Sequence, residues 1–181
     1  MMETNSVKFF KEQELQSPAH PPIVVAWQVK NPQNVGSLMR LTDNVGGDRL
    51  ILLDDENDKR EASIKKTAGL SYKNVGLEYQ LSTDFFANIP AEYTVCAIET
   101  STGATNIFRT ELPDKVIFLL GSESKGLPEE LLKQTHMAVY IPMTGKCKSM
   151  NISQALAVSL FEWQRQQLFN TTMHDCMIAQ T

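Results

Sequence analysis

Four short runs, I-V-V-A-W at 23–27, R-L-I-L-L at 49–53, Y-T-V-C-A-I at 93–98 and V-I-F-L-L at 116–120, are almost continuously apolar. A strand with one wet face alternates apolar with polar residues, so a run without that alternation points to a strand buried on both faces of a parallel sheet. Parallel neighbours need crossover connections, and helical periodicity fills the intervals between the runs. A weaker strand at 75–79 and a last one at 137–141 complete the pattern. Together these imply an α/β fold with a mostly parallel sheet flanked by helices, whose ligands gather at the carboxyl ends of the strands.

The helices follow from their caps and stripes. Asn34 is placed to cap a helix reaching about Val45, with Val35, Leu38, Leu41 and Val45 as its buried stripe and Gly46-Gly47 ending it; Gly36 and Arg40 share another face. A short helix is expected at 59–68, another at F-F-A-N-I-P behind Ser82-Thr83 and stopped at Pro90, and a third opened by Pro128-Glu129-Glu130. The longest helix runs from Asn151 to about Phe169. Asn151 is its cap, with Gln154 three residues on, and Ile152, Leu156, Leu160 and Trp163 form its core stripe beside the small Ala155 and Ser159. Residues 1–21, with a short helix at 7–15 and then S-P-A-H-P-P, read as a leader; 22–169 form one domain and 170–181 a polar tail.

The chain has 181 residues, 42% hydrophobic content and a net charge of −4. That size suits one domain with a substantial core, and no apolar run approaches a membrane span or a signal peptide, so a cytoplasmic protein is expected. Cys96, Cys147 and Cys176 are odd in number and make no ligand cluster with His20, His136 and His174, which suggests neither disulfides nor metal. The negative charge argues against nucleic acid, but its distribution argues for it. Lys59, Arg60, Lys65, Lys66 and Lys73 face one acid, Glu61, and Lys125, Lys146 and Lys148 stand in the polar loops after the later strands. A solvated helix face is the alternative for such a cluster.

Three of those loops carry motifs. N-P-Q-N-V-G-S-L-M-R at 31–40, L-L-G-S-E-S-K-G-L-P at 119–128 and I-P-M-T-G-K-C-K-S-M-N-I-S at 141–153 resemble, in order, the signatures of the SpoU/TrmH-type RNA 2′-O-ribose methyltransferases of the SPOUT superfamily. Phosphate-cradling and dinucleotide motifs lose their support, because neither G-x-x-x-x-G-K-[ST] nor G-x-G-x-x-G is present. The resemblance implies a C-terminal trefoil knot at about 119–165, an exception to the general avoidance of knots. It also implies S-adenosylmethionine bound bent within the knot by Thr100 or its neighbour, Gly121, Ile141, Ser149 and Met150. A tRNA or rRNA substrate and a homodimer packed through the last helix are implied as well, with Arg40 of one chain facing the cofactor of the other.

In that setting Arg40 meets the charge developing on the ribose oxygen, Gly36 leaves room for the ribose, and Asn34, Glu123, Ser149 and Asn151 orient the reactants. Each has a plainer reading: Asn34 and Asn151 as caps, Gly121 as a turn residue, Ile141 and Met150 as core, Glu123 as a surface carboxylate. Base methylation and a non-catalytic RNA-binding module are the rival functions. If the five basic residues at 59–73 contact phosphates, changing them to Ala should weaken binding to every RNA tested and lower the salt dependence by about one unit of slope per lost contact; an unchanged slope in salt titrations would return them to the solvated face.

Overall fold

The computed structural model describes residues 6–13, 17–54 and 61–178. Its seven strands are β1 (Ile23–Trp27), β2 (Arg49–Leu53), β3 (Gly76–Gln80), β4 (Thr94–Ile98), β5 (Thr105–Asn106), β6 (Val116–Leu120) and β7 (Met137–Tyr140). They form one sheet in the order β3-β2-β1-β6-β4-β7-β5, with every pairing parallel. The apolar runs occupy its centre. β6 lies between β1 and β4, and Val116 through Leu120 are all buried, as a strand covered on both faces requires. Only β5, two polar residues at the edge, had no apolar run to reveal it.

Successive residues of each strand face opposite layers. Val24, Ala26, Leu50, Leu52, Phe118 and Leu120 join the larger core, and Val25, Ile51, Leu53, Val95, Ala97 and Leu119 the smaller one. The helices are α1 (Ser6–Lys11), α2 (Pro32–Asn44), α3 (Glu61–Ala68), α4 (Ser71–Asn74), α5 (Ser82–Ala87), α6 (Glu129–Leu132) and α7 (Ile152–Ile178). Residues of α2, α3 and α7 build the larger core, while Phe85 of α5 and Leu131 of α6 cover the other face. The α7 stripe falls as its spacing required: Ile152, Leu156, Leu160 and Trp163 are buried, and the Trp163 indole N–H donates to Pro113 O at 3.0 Å. Side chains of this size contribute about 1.5–3 kcal/mol each when fully buried. The helical backbone continues to Ile178, through the segment expected as a tail.

Two sequence expectations are corrected. The cap of α2 is Asn31, whose Oδ1 accepts from Gln33 N at 2.9 Å ahead of Pro32, and Asn34 lies one turn inside. Proline suits the first helical position because its missing N–H would be unsatisfied there anyway. Gly36 does not open space for a ribose. A methyl group there would lie 2.7 Å from both Ile64 O and Thr67 Cβ, so this glycine allows α3 to pack directly on α2. Residues 1–5, 14–16, 55–60 and 179–181 lie outside the described residues, and with them parts of the expected leader and tail and the basic residues Lys59 and Arg60.

Gly36→Ala tests that packing. Alanine gains about 1 kcal/mol of helix propensity, but overpacking against a backbone carbonyl costs about 1–3 kcal/mol. A net loss of up to about 2 kcal/mol is expected in a denaturant titration, and a more stable variant would contradict the close contact.

Candidate functional site

Three segments leave the carboxyl edge of the sheet and meet: the entry to α2 after β1, the glycine turn after β6 and the loop between β7 and α7. A chain of hydrogen bonds links them. Glu123, in the glycine turn, accepts from Lys30 N and Asn31 N at 3.2 Å each and from Asn34 Nδ2 at 2.8 Å. Asn34, only 8% exposed, accepts at Oδ1 from Asn151 Nδ2 at 3.3 Å. Asn151 in turn accepts at Oδ1 from the backbone N–H and hydroxyl of Ser153 at 2.8 and 2.7 Å, which caps α7. Partial burial pushes the Glu123 carboxyl up, but its hydrogen bonds from Asn34 and from backbone N–H groups outweigh that and hold it below the usual carboxylate range.

Beside this bridge lies a cavity of about 230 Å³. Thr100, Gly121, Ile141, Ser149 and Met150, all five residues expected to hold a cofactor, line it, and so does Glu123. Part of its lining is apolar, from Ile98, Leu120, Ile141, Met150, Ile152 and Ala155, and part is polar, from Ser122, Ser149 and Glu99. Apolar side chains for a flat ring beside polar groups that fix orientation suit S-adenosylmethionine. Gly121 is required sterically, because any side chain there would overlap the backbone of Gly126 and Leu127. Lys148 also lines the cavity and donates from Nζ to Met143 O at 2.5 Å.

Arg40 is not part of this cavity. It lies exposed on α2, and its side chain makes no hydrogen bond or ion pair among the described residues. The basic cluster is only partly free. Lys65 pairs with Glu61 at 2.8 Å and sits 5.0 Å over the Tyr72 ring, whereas Lys66 and Lys73 are exposed. The lining residues Glu99, Tyr140 and Met143 escaped the sequence reading. Glu99 stands directly before Thr100 at the end of β4, and that place at the carboxyl edge was the available signal.

Comparison with known proteins agrees with this geometry. The model of the SpoU rRNA Methylase family matches residues 21–161. A mouse tRNA (guanosine(18)-2'-O)-methyltransferase, TARBP1, is 29% identical over 149 residues, covering 81% of this chain and 9% of that protein. The 23S rRNA (guanosine-2'-O-)-methyltransferase RlmB of Neisseria meningitidis is 27% identical over 161 residues, covering 87% of this chain and 64% of RlmB. This chain thus spans less than two thirds of the length of either relative. Among solved structures, an AdoMet-bound rRNA methyltransferase from Sinorhizobium meliloti superimposes with a TM-score of 0.74 at 26% identity, over 82% of this chain and 60% of that one. A protein described for 2-OH methylation of C/U34 on tRNA superimposes with a TM-score of 0.74 at 27% identity, over 81% of this chain and 96% of that one.

The Glu123 bridge has a pH signature. Because its folded-state pKa is depressed, its contribution to stability is fully present above the ordinary glutamate value of about 4.3 and is lost as pH falls through the lower folded-state value. Glu123→Gln should therefore melt below the wild type at neutral pH, with the gap closing as melting is followed down through the acid range; a gap independent of pH would show that the charge does not carry the bridge.

Proposed function

The chain belongs to the SpoU rRNA methylase family, and from that premise we propose that it is an S-adenosylmethionine-dependent methyltransferase acting on the 2′-hydroxyl of a ribose in tRNA or rRNA. One observation carries the reading: the five residues assigned to the cofactor, from segments far apart in the chain, line a single cavity, and Glu123 lines it beside them. When bound, the cofactor supplies an electrophilic methyl group on a sulfonium. The apolar side chains of Ile141 and Ile152, with Thr100, Ser149 and the turn at Gly121, would hold it and exclude water.

The nucleophile is a neutral hydroxyl, so the chain must meet the negative charge that develops on its oxygen. Arg40 is assigned that task. A guanidinium is not deprotonated in proteins, which makes it an electrostatic group rather than a base. Glu123, held anionic by its donors, is a weak base, and we assign the departing proton to water. Asn34 and Asn151 hold the α2 and α7 ends in register beside the reacting groups, and Ser149 orients the cofactor from the loop.

We further read residues from about 119 to 165 as a trefoil knot and the active form as a homodimer. The knot reading is supported by the path of the chain. It leaves β6 in the middle of the sheet, returns as β7 beyond β4, and brings the loop after β7 against the turn after β6 around one cavity. The dimer reading is supported by α7, where Phe161 and Leu168 are each 48% exposed while the opposite stripe is buried. It also gives Arg40 a site, at the cavity of the partner subunit. The free thiols of Cys96 and Cys147 fit a reducing cytoplasm. No described helix is long and apolar enough to cross a membrane.

RNA from cells lacking the protein, incubated with labelled S-adenosylmethionine and the full chain, should yield label in a 2′-O-methylnucleoside after digestion; label on a base, or none in any RNA, would overturn the assignment. Arg40→Ala should lower the single-turnover rate by about 10²–10³-fold with cofactor affinity unchanged. Mixing it with a cofactor-loop variant should restore part of the activity if two subunits share each site.

A further inference from the structure

Glu99 stands at the carboxyl end of β4 and contributes its side chain to the cavity wall. Its carboxylate is built into that wall at both oxygens. Oε1 accepts from Thr100 N at 2.9 Å and Oε2 from Leu127 N at 2.9 Å, while the Glu99 N–H donates to Val139 O of β7 at 3.0 Å. One residue thereby joins the end of β4, the turn after β6 and β7, the segments from which the cavity is made. Gly126 completes the fit. Its φ of +66° favours glycine, and any side chain there would overlap the Glu99 carboxylate.

The bonds are of a kind that a neutral isostere does not reproduce. A carboxylate accepts at both oxygens, whereas an amide at the same place accepts at one and turns an NH₂ donor toward a backbone N–H. No side-chain cation pairs with Glu99 among the described residues, so its charge is met by the two backbone N–H groups and, at a longer 3.5 Å, by the Thr100 hydroxyl.

We propose that Glu99 is a positioning residue for the cofactor: its carboxylate clasps the 121–127 turn to Thr100 and so holds the cavity in its binding shape. This rests on the cofactor reading above. Loss of the clasp frees the turn that carries Gly121 and weakens cofactor binding, while Arg40 and the RNA surface are untouched.

Calorimetry of the full chain with S-adenosylmethionine tests this. Glu99→Gln should weaken binding by about tenfold or more, and Glu99→Asp, which keeps the charge but shortens the reach, by an intermediate amount. The rate at saturating cofactor should stay within about threefold, so that KM rises and kcat does not fall with it. RNA affinity should be unchanged. Binding by the wild type together with Glu99→Gln affinity within twofold of it overturns the positioning role and leaves the cofactor reading standing; no binding by the wild type overturns both. Hydrogen exchange on the wild type decides the matter if the variants fail to fold: cofactor should slow exchange of the Thr100 and Leu127 amides, and exchange unchanged by cofactor overturns the proposal.

Discussion

The arrangement at the sheet's carboxyl edge depends on the anionic state of one exposed carboxylate. Glu123 can only accept, so Asn34 must turn its NH₂ toward it; the Asn34 oxygen is then left for Asn151, whose own NH₂ must point back and whose oxygen faces Ser153. The donor sense of the whole chain is set from its charged end. Through it the turn after β6 fixes the first turn of α2 and the start of α7, and both helices run from there into the larger core. A neutral partner at 123 could run the chain in either sense. The site would then lose its single defined arrangement before it lost much stability.

Below that edge the sheet supplies rigidity. Its central strands are buried on both faces, and each change in their side chains is felt by one of two close-packed layers. Two glycines adapt the framework to close contacts and serve different ends. Gly36 brings α3 against α2 and is a packing residue, although it lies in the motif segment. Gly121 brings the turn after β6 against its own return at Gly126 and Leu127, directly at the cavity wall. The loop from Thr144 to Met150, in contrast, is exposed throughout, although Lys148, Ser149 and Met150 line the cavity.

The site of a single chain is electrostatically one-sided. Glu99 and Glu123 line the cavity, and its lining cation, Lys148, has its ammonium on a backbone carbonyl. The Arg40 guanidinium lies on the outer face of α2, away from that cavity.

The residues by themselves determined the sheet, because runs such as V-I-F-L-L satisfy only a strand covered on both faces, and they determined the α7 stripe, because a 3.6-residue period selects one buried side. The family resemblance pointed to Thr100 or its neighbour, to Gly121, Ile141, Ser149 and Met150, and to the Glu123, Asn34 and Asn151 set before any contact was visible. What only the tertiary structure decided were the partners across long sequence separations. Asn34 reads locally as a cap, and it is its distance to Glu123, 89 residues away, that makes it a bridge. Gly36 reads as free space until α3 is laid against it, and Glu99, at a strand end, has no visible partner until Leu127 is brought to it. Local periodicity reports which face of an element is apolar, but a hydrogen bond or a steric limit between distant segments exists only once the chain has folded and set those groups together.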